Sequence, residues 1–302
     1  MTNINEKIQQ LKQDKDAVIL AHYYVPEDVQ AVADYIGDSY NLSKLATEVP
    51  QNTICFAGVN FMGESAKLLN PDKTVLMADL EADCPMAHMA TPEKVAEVRS
   101  RYSDVAVVCY INSTAKLKEC ADVCVTSSNA MKIVRALPNK TIYFIPDEHL
   151  GRYIAEQVPE KEFIFNDGYC PVHTKITADC VRKAKGLHPR AKVLAHPECT
   201  MEVLELADYI GSTSGIIARA GSDPSTEFII CTEIGVFYEL KKQNPQKQFY
   251  PANHCQICHD MKKVTLEKIA ACLVSMEPRV EIGPEQSQTA NAPLIRMLEL
   301  AK

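Results

Sequence analysis

The sequence lacks the features that mark nucleic-acid-binding, membrane and secreted proteins. No stretch is rich in lysine and arginine, and the formal net charge is −7, so a basic footprint for nucleic-acid phosphates is missing. No apolar run approaches the length that crosses a bilayer. The first fifteen residues are polar and mixed in charge, unlike a secretory signal. We therefore expect a cytoplasmic protein that binds neither nucleic acid nor membrane.

A chain of 302 residues with 46% apolar content suits two or three domains. No glycine- or serine-rich linker separates them, so we expect the domains to pack closely. Cysteine, by contrast, is abundant, with twelve residues. Without a signal sequence we do not expect a disulfide framework. The cysteines that lie in apolar runs are expected to be small buried side chains: Cys55, Cys109, Cys124, Cys231 and Cys272.

The clearest positive feature is an internal repeat. The run ADYIG occurs at 33–37 and again at 207–211, an offset of 174, and a weaker version, ADVCV, begins at residue 121. A second landmark keeps the same register, since the prolines of NPDK, VPEK and NPQK are 88 and 86 positions apart: Pro71, Pro159 and Pro245. The chain therefore contains three copies of a unit of 86–88 residues.

Each copy alternates short apolar strands with helical segments, which is typical of a parallel sheet covered on both faces. In the third copy the pattern predicts strands at 192–196, 209–211, 227–232 and 247–251 and helices from Pro197 to residue 206, from the hydroxyls at 212–214 to Ala220, and at 236–243. The predicted fold class is α/β, with three homologous three-layer α/β/α domains in pseudo-threefold arrangement around a central active site. The predicted boundaries are 1–102 (with an N-terminal helix near 4–14), 103–188, 189–263, and C-terminal helices in 264–302 that pack back on the repeats.

Ligands of open parallel sheets bind beyond the carboxyl ends of the strands, so polar residues that follow equivalent strands are candidate site residues. At matched positions after the first strand of each copy come His22 and Tyr24, Tyr110 and Asn112, and His196 and Glu198. After the second strand come hydroxyls in register, at or near predicted helix starts: Ser39, Ser127 and Thr213. They could cradle a carboxylate or phosphate, although ordinary N-capping would explain them equally. The histidines could likewise be structural.

One cysteine in each copy follows the last strand in register. Cys84 and Cys258 lie 13 residues past their prolines and Cys170 lies 11 past its own. Three thiolates at equivalent positions indicate a metal or cluster site that leaves one coordination position open. The CxxC motif at 255–258 alone cannot choose its ligand, but 84 plus 174 is 258, so the repeat favours Cys258 over Cys255. Thiolate ligands do not decide between zinc and iron–sulfur.

With these residues in view, the chain resembles the quinolinate synthase family over essentially its whole length. The resemblance rests on AHYYVPEDVQAVADYIGDS (21–39), CYINSTAKLKECADVCVTSSNA (109–130), DGYCPVH (167–173), HPEC (196–199), GSTSG (211–215) and CHDMKKVTLEKI (258–269). It implies a [4Fe–4S] cluster held by Cys84, Cys170 and Cys258 with one iron open. It also implies condensation of iminoaspartate with dihydroxyacetone phosphate to quinolinate in NAD biosynthesis.

The resemblance also implies roles for the other candidates. Substrate contacts fall on His22, Ser39, Tyr110, Asn112, Ser127, His173, His196, Glu198 and Thr213. The expected catalytic residues are Tyr24, Glu198, His196 and His22, with Tyr24 and Glu198 the candidates for proton transfer. One departure concerns a CxxCxxC motif of some relatives, because its first position is Ala252 here. Regulation by a disulfide of that motif is therefore not expected.

Two alternatives use the same cysteine triplet. A three-domain iron–sulfur enzyme of the diphthamide-synthesis kind would bind S-adenosylmethionine and modify a protein, which the polar His, Tyr, Asn and Glu set does not favour. A non-enzymatic iron–sulfur sensor would need an output surface or a DNA-binding module, and no basic segment supplies one. A transient contact with an aspartate-oxidising enzyme is the one macromolecular partnership that the reaction suggests.

Overall fold

A computed structural model describes residues 3–302. Within these residues the strands form three four-stranded sheets, and every strand pair is parallel. The first unit contains α1 (Ile4–Asp14), β1 (Ala17–His22), α2 (Glu27–Val32), β2 (Tyr35–Gly37), α3 (Ser39–Glu48), β3 (Thr53–Ala57), α4 (Asn60–Leu69), β4 (Thr74–Met77) and α5 (Pro92–Arg101).

The second and third units repeat this order. The second contains β5 (Val105–Tyr110), α6 (Ala115–Lys118), β6 (Val123–Val125), α7 (Ala130–Ala136), β7 (Thr141–Ile145), α8 (Glu148–Gln157), β8 (Glu162–Phe165) and α9 (Ala178–Leu187). The third contains β9 (Lys192–Ala195), α10 (Met201–Leu204), β10 (Tyr209–Ile210), α11 (Thr213–Ser222), β11 (Glu227–Cys231), α12 (Val236–Gln243) and β12 (Gln248–Pro251). The C-terminal helices are α13 (Leu266–Ser275) and α14 (Pro284–Leu300).

The three sheets share one topology. Their strand orders are β2-β1-β3-β4, β6-β5-β7-β8 and β10-β9-β11-β12, so the first strand of each unit is central. All six residues of β1 and of β5 are buried, as expected for strands covered on both faces. The predicted fold class is confirmed. The predicted domain boundaries fall between secondary-structure elements and stay a prediction.

The C-terminal helices lie against the first two units. Helix α13 packs on α1, β3 and β4, while α14 packs on α4, α6 and β6. One apolar core consequently runs through the first two units and these helices, whereas the third unit has separate cores on the two faces of its sheet. The five cysteines expected to be buried are all buried. Among residues 3–302, no helix is long and apolar enough to cross a membrane.

The sequence prediction was wrong for the helix after β9. Helix α10 begins at Met201 rather than at Pro197, because residues 196–199 form a turn in which the Cys199 amide donates to the His196 carbonyl (3.0 Å). The same five-residue step separates His22 from the start of α2 and Tyr110 from the start of α6. This turn therefore belongs to the repeat, and it brings Tyr24, Asn112 and Glu198 to the sheet edge.

Candidate functional site

The carboxyl ends of the three sheets line one pocket, called here the central pocket. Every residue that the sequence analysis proposed as a ligand, substrate contact or catalytic group lines it: His22, Tyr24, Ser39, Cys84, Tyr110, Asn112, Ser127, Cys170, His173, His196, Glu198, Thr213 and Cys258. They come from all three units and span more than 230 positions of the chain. The repeat thus places equivalent strand ends around one cavity.

Two histidines at equivalent positions have the same local geometry. In the first unit Nδ1 of His22 accepts the Tyr24 amide (3.2 Å), and in the third Nδ1 of His196 accepts the Glu198 amide (3.3 Å). A ring nitrogen that accepts an N–H carries no proton, so in each neutral ring the proton lies on Nε2. Both histidines therefore offer an N–H donor, and that of His196 lies 3.2 Å from Oγ of Ser127.

Burial keeps these two imidazoles neutral. His22 and His196 are 4% and 3% exposed, and desolvation lowers the pKa of each to about 3. The charge of nearby Glu198 acts in the opposite direction but is outweighed. At neutral pH both rings are uncharged hydrogen-bond donors rather than cations.

This burial predicts a loss of stability in mild acid. A histidine whose pKa falls from about 6.5 unfolded to about 3 folded stabilises the fold fully above pH 6.5, and the contribution disappears as the pH falls toward 3. Between pH 7.5 and 5.5 each histidine should lower the free energy of unfolding by about 1.4 kcal/mol. Denaturant unfolding at the two pH values measures this difference.

A substitution tests whether this acid-induced loss in the free energy of unfolding comes from these histidines. His196→Asn should make the loss between pH 7.5 and 5.5 smaller by about 1.4 kcal/mol. His254→Asn, at an exposed position, is the matched control and should leave the loss as in the wild type. An unchanged loss in His196→Asn would contradict the assignment.

Glu198 is the buried carboxylate at the centre of the site. It is 3% exposed, and its Oε1 accepts the Tyr110 hydroxyl (2.5 Å) while Oε2 lies 2.8 Å from Nδ1 of His173. Burial disfavours the charged form, but the His173 imidazole and these two hydrogen bonds outweigh it and hold the pKa of Glu198 below its usual value. Glu198 is therefore an anchored carboxylate at neutral pH.

A chain of hydrogen bonds connects Glu198 to Tyr24 beneath the central pocket. Nε2 of His173 lies 2.9 Å from Oγ1 of Thr232, which lies 2.7 Å from the Tyr24 hydroxyl. The Tyr24 hydroxyl is also 2.7 Å from Oγ1 of Thr213. Burial, followed by the charge of Glu198, raises the pKa values of Tyr24 and Tyr110 well above 10, so both phenols stay protonated. Because His173 belongs to the second unit, the network links all three units.

The N-capping interpretation of the three hydroxyls was wrong. Asp38 caps α3 and Ser212 caps α11, which leaves Ser39 and Thr213 as the first helical residues. Ser127 precedes α7 by three residues. None of the three hydroxyls caps its helix, and all three residues line the central pocket.

Asn112 presents a polar atom that the protein itself does not satisfy. Its Oδ1 is buried and has no hydrogen-bond partner within residues 3–302. An unsatisfied buried acceptor is costly, and a donor from a water or from a bound ligand would satisfy it. Asn112 also lines the central pocket.

The three cysteines line the central pocket, as do His173 and Glu198. Burial is the main influence on their thiols: it raises the pKa of Cys258 to about 11 and those of Cys84 and Cys170 further. The proximity of Cys258 to Cys84, and of Cys84 to Cys170, adds to the rise. Donor atoms of Cys170, His173 and Glu198 also lie within 4.8 Å of one another. This donor set is compatible with a metal cofactor.

Two buried residues after β11 were missed by the sequence analysis. Thr232 and Glu233 are 0% exposed, Thr232 joins the hydrogen-bond chain, and Glu233 lines the central pocket. The predicted site residues follow the first, second and last strands of each copy, and none follows the third. The residues two positions past the third strand of each unit are Val59, Asp147 and Glu233. Asp147 and Glu233 are fully buried carboxylates.

The fold and site define a three-unit α/β enzyme whose central pocket is suited to a metal cofactor. The family model described as quinolinate synthetase A protein matches residues 6–299. The chain belongs to this family, as its sequence predicted.

Curated relatives match along almost their full length. A quinolinate synthase of Fusobacterium nucleatum is 52% identical over 298 residues, covering 99% of both chains. Those of Caldicellulosiruptor bescii and Clostridioides difficile are each 48% identical, covering 98% and 99% of both chains respectively. The chain is therefore similar in extent as well as in sequence to these proteins.

Proposed function

We propose that this protein is a quinolinate synthase of NAD biosynthesis. In the proposed reaction, iminoaspartate and dihydroxyacetone phosphate give quinolinate, phosphate and two molecules of water. One carbon–carbon and one carbon–nitrogen bond close the ring, and the carbon–oxygen bond to the phosphate breaks. Family membership and the full-length relatives support the activity.

The observation that carries the proposal is the convergence of the predicted residues. Three cysteines, one after the last strand of each unit, line the same pocket as the histidines, hydroxyls, tyrosines and carboxylate proposed for the substrates. A pocket with these groups suits anionic ligands, although the overall charge of the chain is negative. This convergence favours small acidic substrates over a protein substrate or a sensor output.

The residues fit the [4Fe–4S] cluster that the family resemblance implies. The donors are three thiols, and burial would keep them protonated unless a cationic group stabilised their thiolates. We propose that Cys84, Cys170 and Cys258 hold this cluster. When bound, a cluster with one iron not held by protein supplies a Lewis acid for substrate oxygens.

The remaining groups would bind and orient the substrates. We assign the Nε2–H donors of His22 and His196 and the hydroxyls of Ser39, Ser127 and Thr213 to substrate carboxylate and phosphate oxygens. Because both imidazoles are neutral, they can donate these bonds without a net charge that would trap an anionic product. The unsatisfied Oδ1 of Asn112 suits an imine or hydroxyl hydrogen of a substrate.

Proton transfer would fall to the two ends of the buried hydrogen-bond chain. Glu198 is held as a carboxylate by Tyr110 and His173 and is placed to accept a proton. Tyr24 stays protonated and is placed to donate one, and its proton can be replaced through Thr232 and His173. Ring closure and loss of water need both kinds of transfer.

The supply of iminoaspartate bears on partners. An imine of this kind hydrolyses in water, so we propose that it arrives by transient contact with an aspartate-oxidising enzyme.

Quinolinate formation by anaerobically purified protein, from dihydroxyacetone phosphate and iminoaspartate generated in situ, tests the activity. No quinolinate from protein that contains its full complement of iron would contradict it.

The cofactor proposal predicts a brown, oxygen-sensitive protein with about four irons and four labile sulfides per chain. Iron and sulfide analysis after anaerobic purification measures this. The matched control is the same protein after exposure to air, which should lose colour and iron together. Stoichiometric zinc without labile sulfide in the anaerobic protein would contradict the proposal.

A further inference from the structure

Glu233 is fully buried, and its carboxylate accepts hydrogen bonds from its own turn and from the segment that carries Cys258. Its Oε1 accepts the Cys258 amide (3.1 Å) and the Lys262 ammonium (2.9 Å), and its Oε2 accepts the Gly235 amide (2.6 Å). A buried carboxylate is tolerated only when it is paired and hydrogen-bonded in this way. Glu233 thus connects the end of β11 to the loop that carries Cys258.

Lys262 extends this connection to the first unit. Its ammonium donates to the Tyr24 carbonyl (2.5 Å) as well as to Glu233, and its side chain is 26% exposed. Tyr24 is the residue whose hydroxyl enters the hydrogen-bond chain of the central pocket. One ion pair therefore contacts the backbone of Tyr24 and the backbone of Cys258.

The loop after β1 and the turn at 233–235 are in close backbone contact. A Cβ atom on Gly235 would lie 2.6 Å from the Tyr23 carbonyl and 2.7 Å from Cα of Tyr24, so only glycine permits the approach. Gln30, 1% exposed, donates from Nε2 to the carbonyls of Tyr23 (2.9 Å), Val25 (3.0 Å) and Gly235 (3.0 Å). The loop after β1 is thus fixed against the turn at 233–235.

We propose that Glu233 and Lys262 are positioning residues, whose ion pair fixes Tyr24 and the Cys258 loop relative to each other. The inference rests on the proposed function, since it concerns a proton donor and a cluster ligand of that site. Neither residue needs to touch a substrate for this role. Their loss should weaken iron retention and turnover together while leaving substrate binding largely intact.

Glu233→Gln is the sharpest test, because glutamine has the same shape but only one acceptor oxygen. It cannot accept from three donors, so its amide NH2 must face either the Cys258 or the Gly235 amide. Hydrogen bonds to charged groups of this kind correspond to about a tenfold effect or more. In anaerobic holoprotein, we expect iron release to a ferrous chelator to be about tenfold faster. We also expect kcat to fall about tenfold, with KM for dihydroxyacetone phosphate within about twofold of wild type.

Lys262 supplies a second, independent variant and its rescue. Lys262→Met leaves Glu233 buried without its counter-charge and should change iron release and kcat in the same direction. Lys262→Arg keeps a cationic donor and should return iron release most of the way to the wild-type rate. Lys242→Met is the matched control, because Lys242 lies in α12, is 57% exposed and pairs with Glu239 (3.7 Å), so it should behave as wild type.

Wild-type iron release and kcat in both Glu233→Gln and Lys262→Met would overturn the inference. Iron release from Lys262→Arg that is no slower than from Lys262→Met would also overturn it, since the ion pair would not be the cause. Should Glu233→Gln fail to fold, the Lys262 variants decide alone. Failure of the proposed function is a separate result, because it appears in the wild type as missing labile sulfide or missing quinolinate.

Discussion

Cys258→Ala is expected to abolish iron binding and quinolinate formation, whereas Cys255→Ala is expected to keep both near the wild-type level. The two cysteines share one CxxC motif, but Cys258 lines the central pocket and Cys255 is exposed and does not line it. The Cys258 amide is also fixed by Glu233 (3.1 Å). Loss of one of three protein ligands should remove the cluster, so the expected effect is close to complete.

Iron and sulfide content of the two anaerobically purified variants measures this difference. Cys255→Ala is the matched control, since it removes a thiol from the same loop, three residues before Cys258. Retention of the cluster in Cys258→Ala with loss in Cys255→Ala would show that the repeat register misassigns the third ligand.

Glu198→Gln is expected to keep the cluster and lower kcat by about a hundredfold or more. The carboxylate accepts from Tyr110 (2.5 Å) and from His173 (2.8 Å), and an amide can accept only one of these bonds while its NH2 group opposes the other. The variant thus loses both its capacity to take a proton and the orientation of its neighbours. Steady-state turnover of protein with matched iron content measures the effect.

Glu202→Gln is the control for Glu198→Gln. Glu202 lies four residues further along the chain, at the start of α10, and is exposed. We expect wild-type turnover from it. Near-normal turnover in Glu198→Gln would remove Glu198 from the proposed chemistry.

The repeat made most of the architecture predictable. Equivalent strands in the three copies share one parallel topology, so residues in register after those strands lie at the carboxyl edge of each sheet, and in the structure the three edges line one pocket. That argument needs only sequence offsets, which is why Cys84, Cys170 and Cys258 could be grouped although they are far apart in the chain. It could not assign roles, because a shared pocket does not say which group moves a proton.

Local rules failed where tertiary contacts decide. Pro197 suits the first turn of a helix, but residues 196–199 instead form the turn that places Glu198 beside Tyr110 and His173. Likewise, N-capping does not explain Ser39 or Thr213, because Asp38 caps α3 and Ser212, one of the candidates predicted at 212–214, caps α11. In both cases the repeat register held more information than the local pattern.

The contacts between units could not be predicted from the sequence. Thr232 bridges His173 of the second unit and Tyr24 of the first, and Lys262 joins Glu233 to the Tyr24 carbonyl, over separations that no local pattern encodes. Side-chain hydrogen bonds of this kind depend on how the units dock. A structure is needed to find them.

Anomalous diffraction at the iron absorption edge, from crystals grown anaerobically, tests the central claim most directly. The claim is that three cysteines, one from each unit, hold one iron–sulfur cluster in the central pocket. We predict a single compact anomalous peak within bonding distance of the sulfur atoms of Cys84, Cys170 and Cys258. Iron bound elsewhere on the chain, or a peak that contacts only one of these three cysteines, would contradict the account.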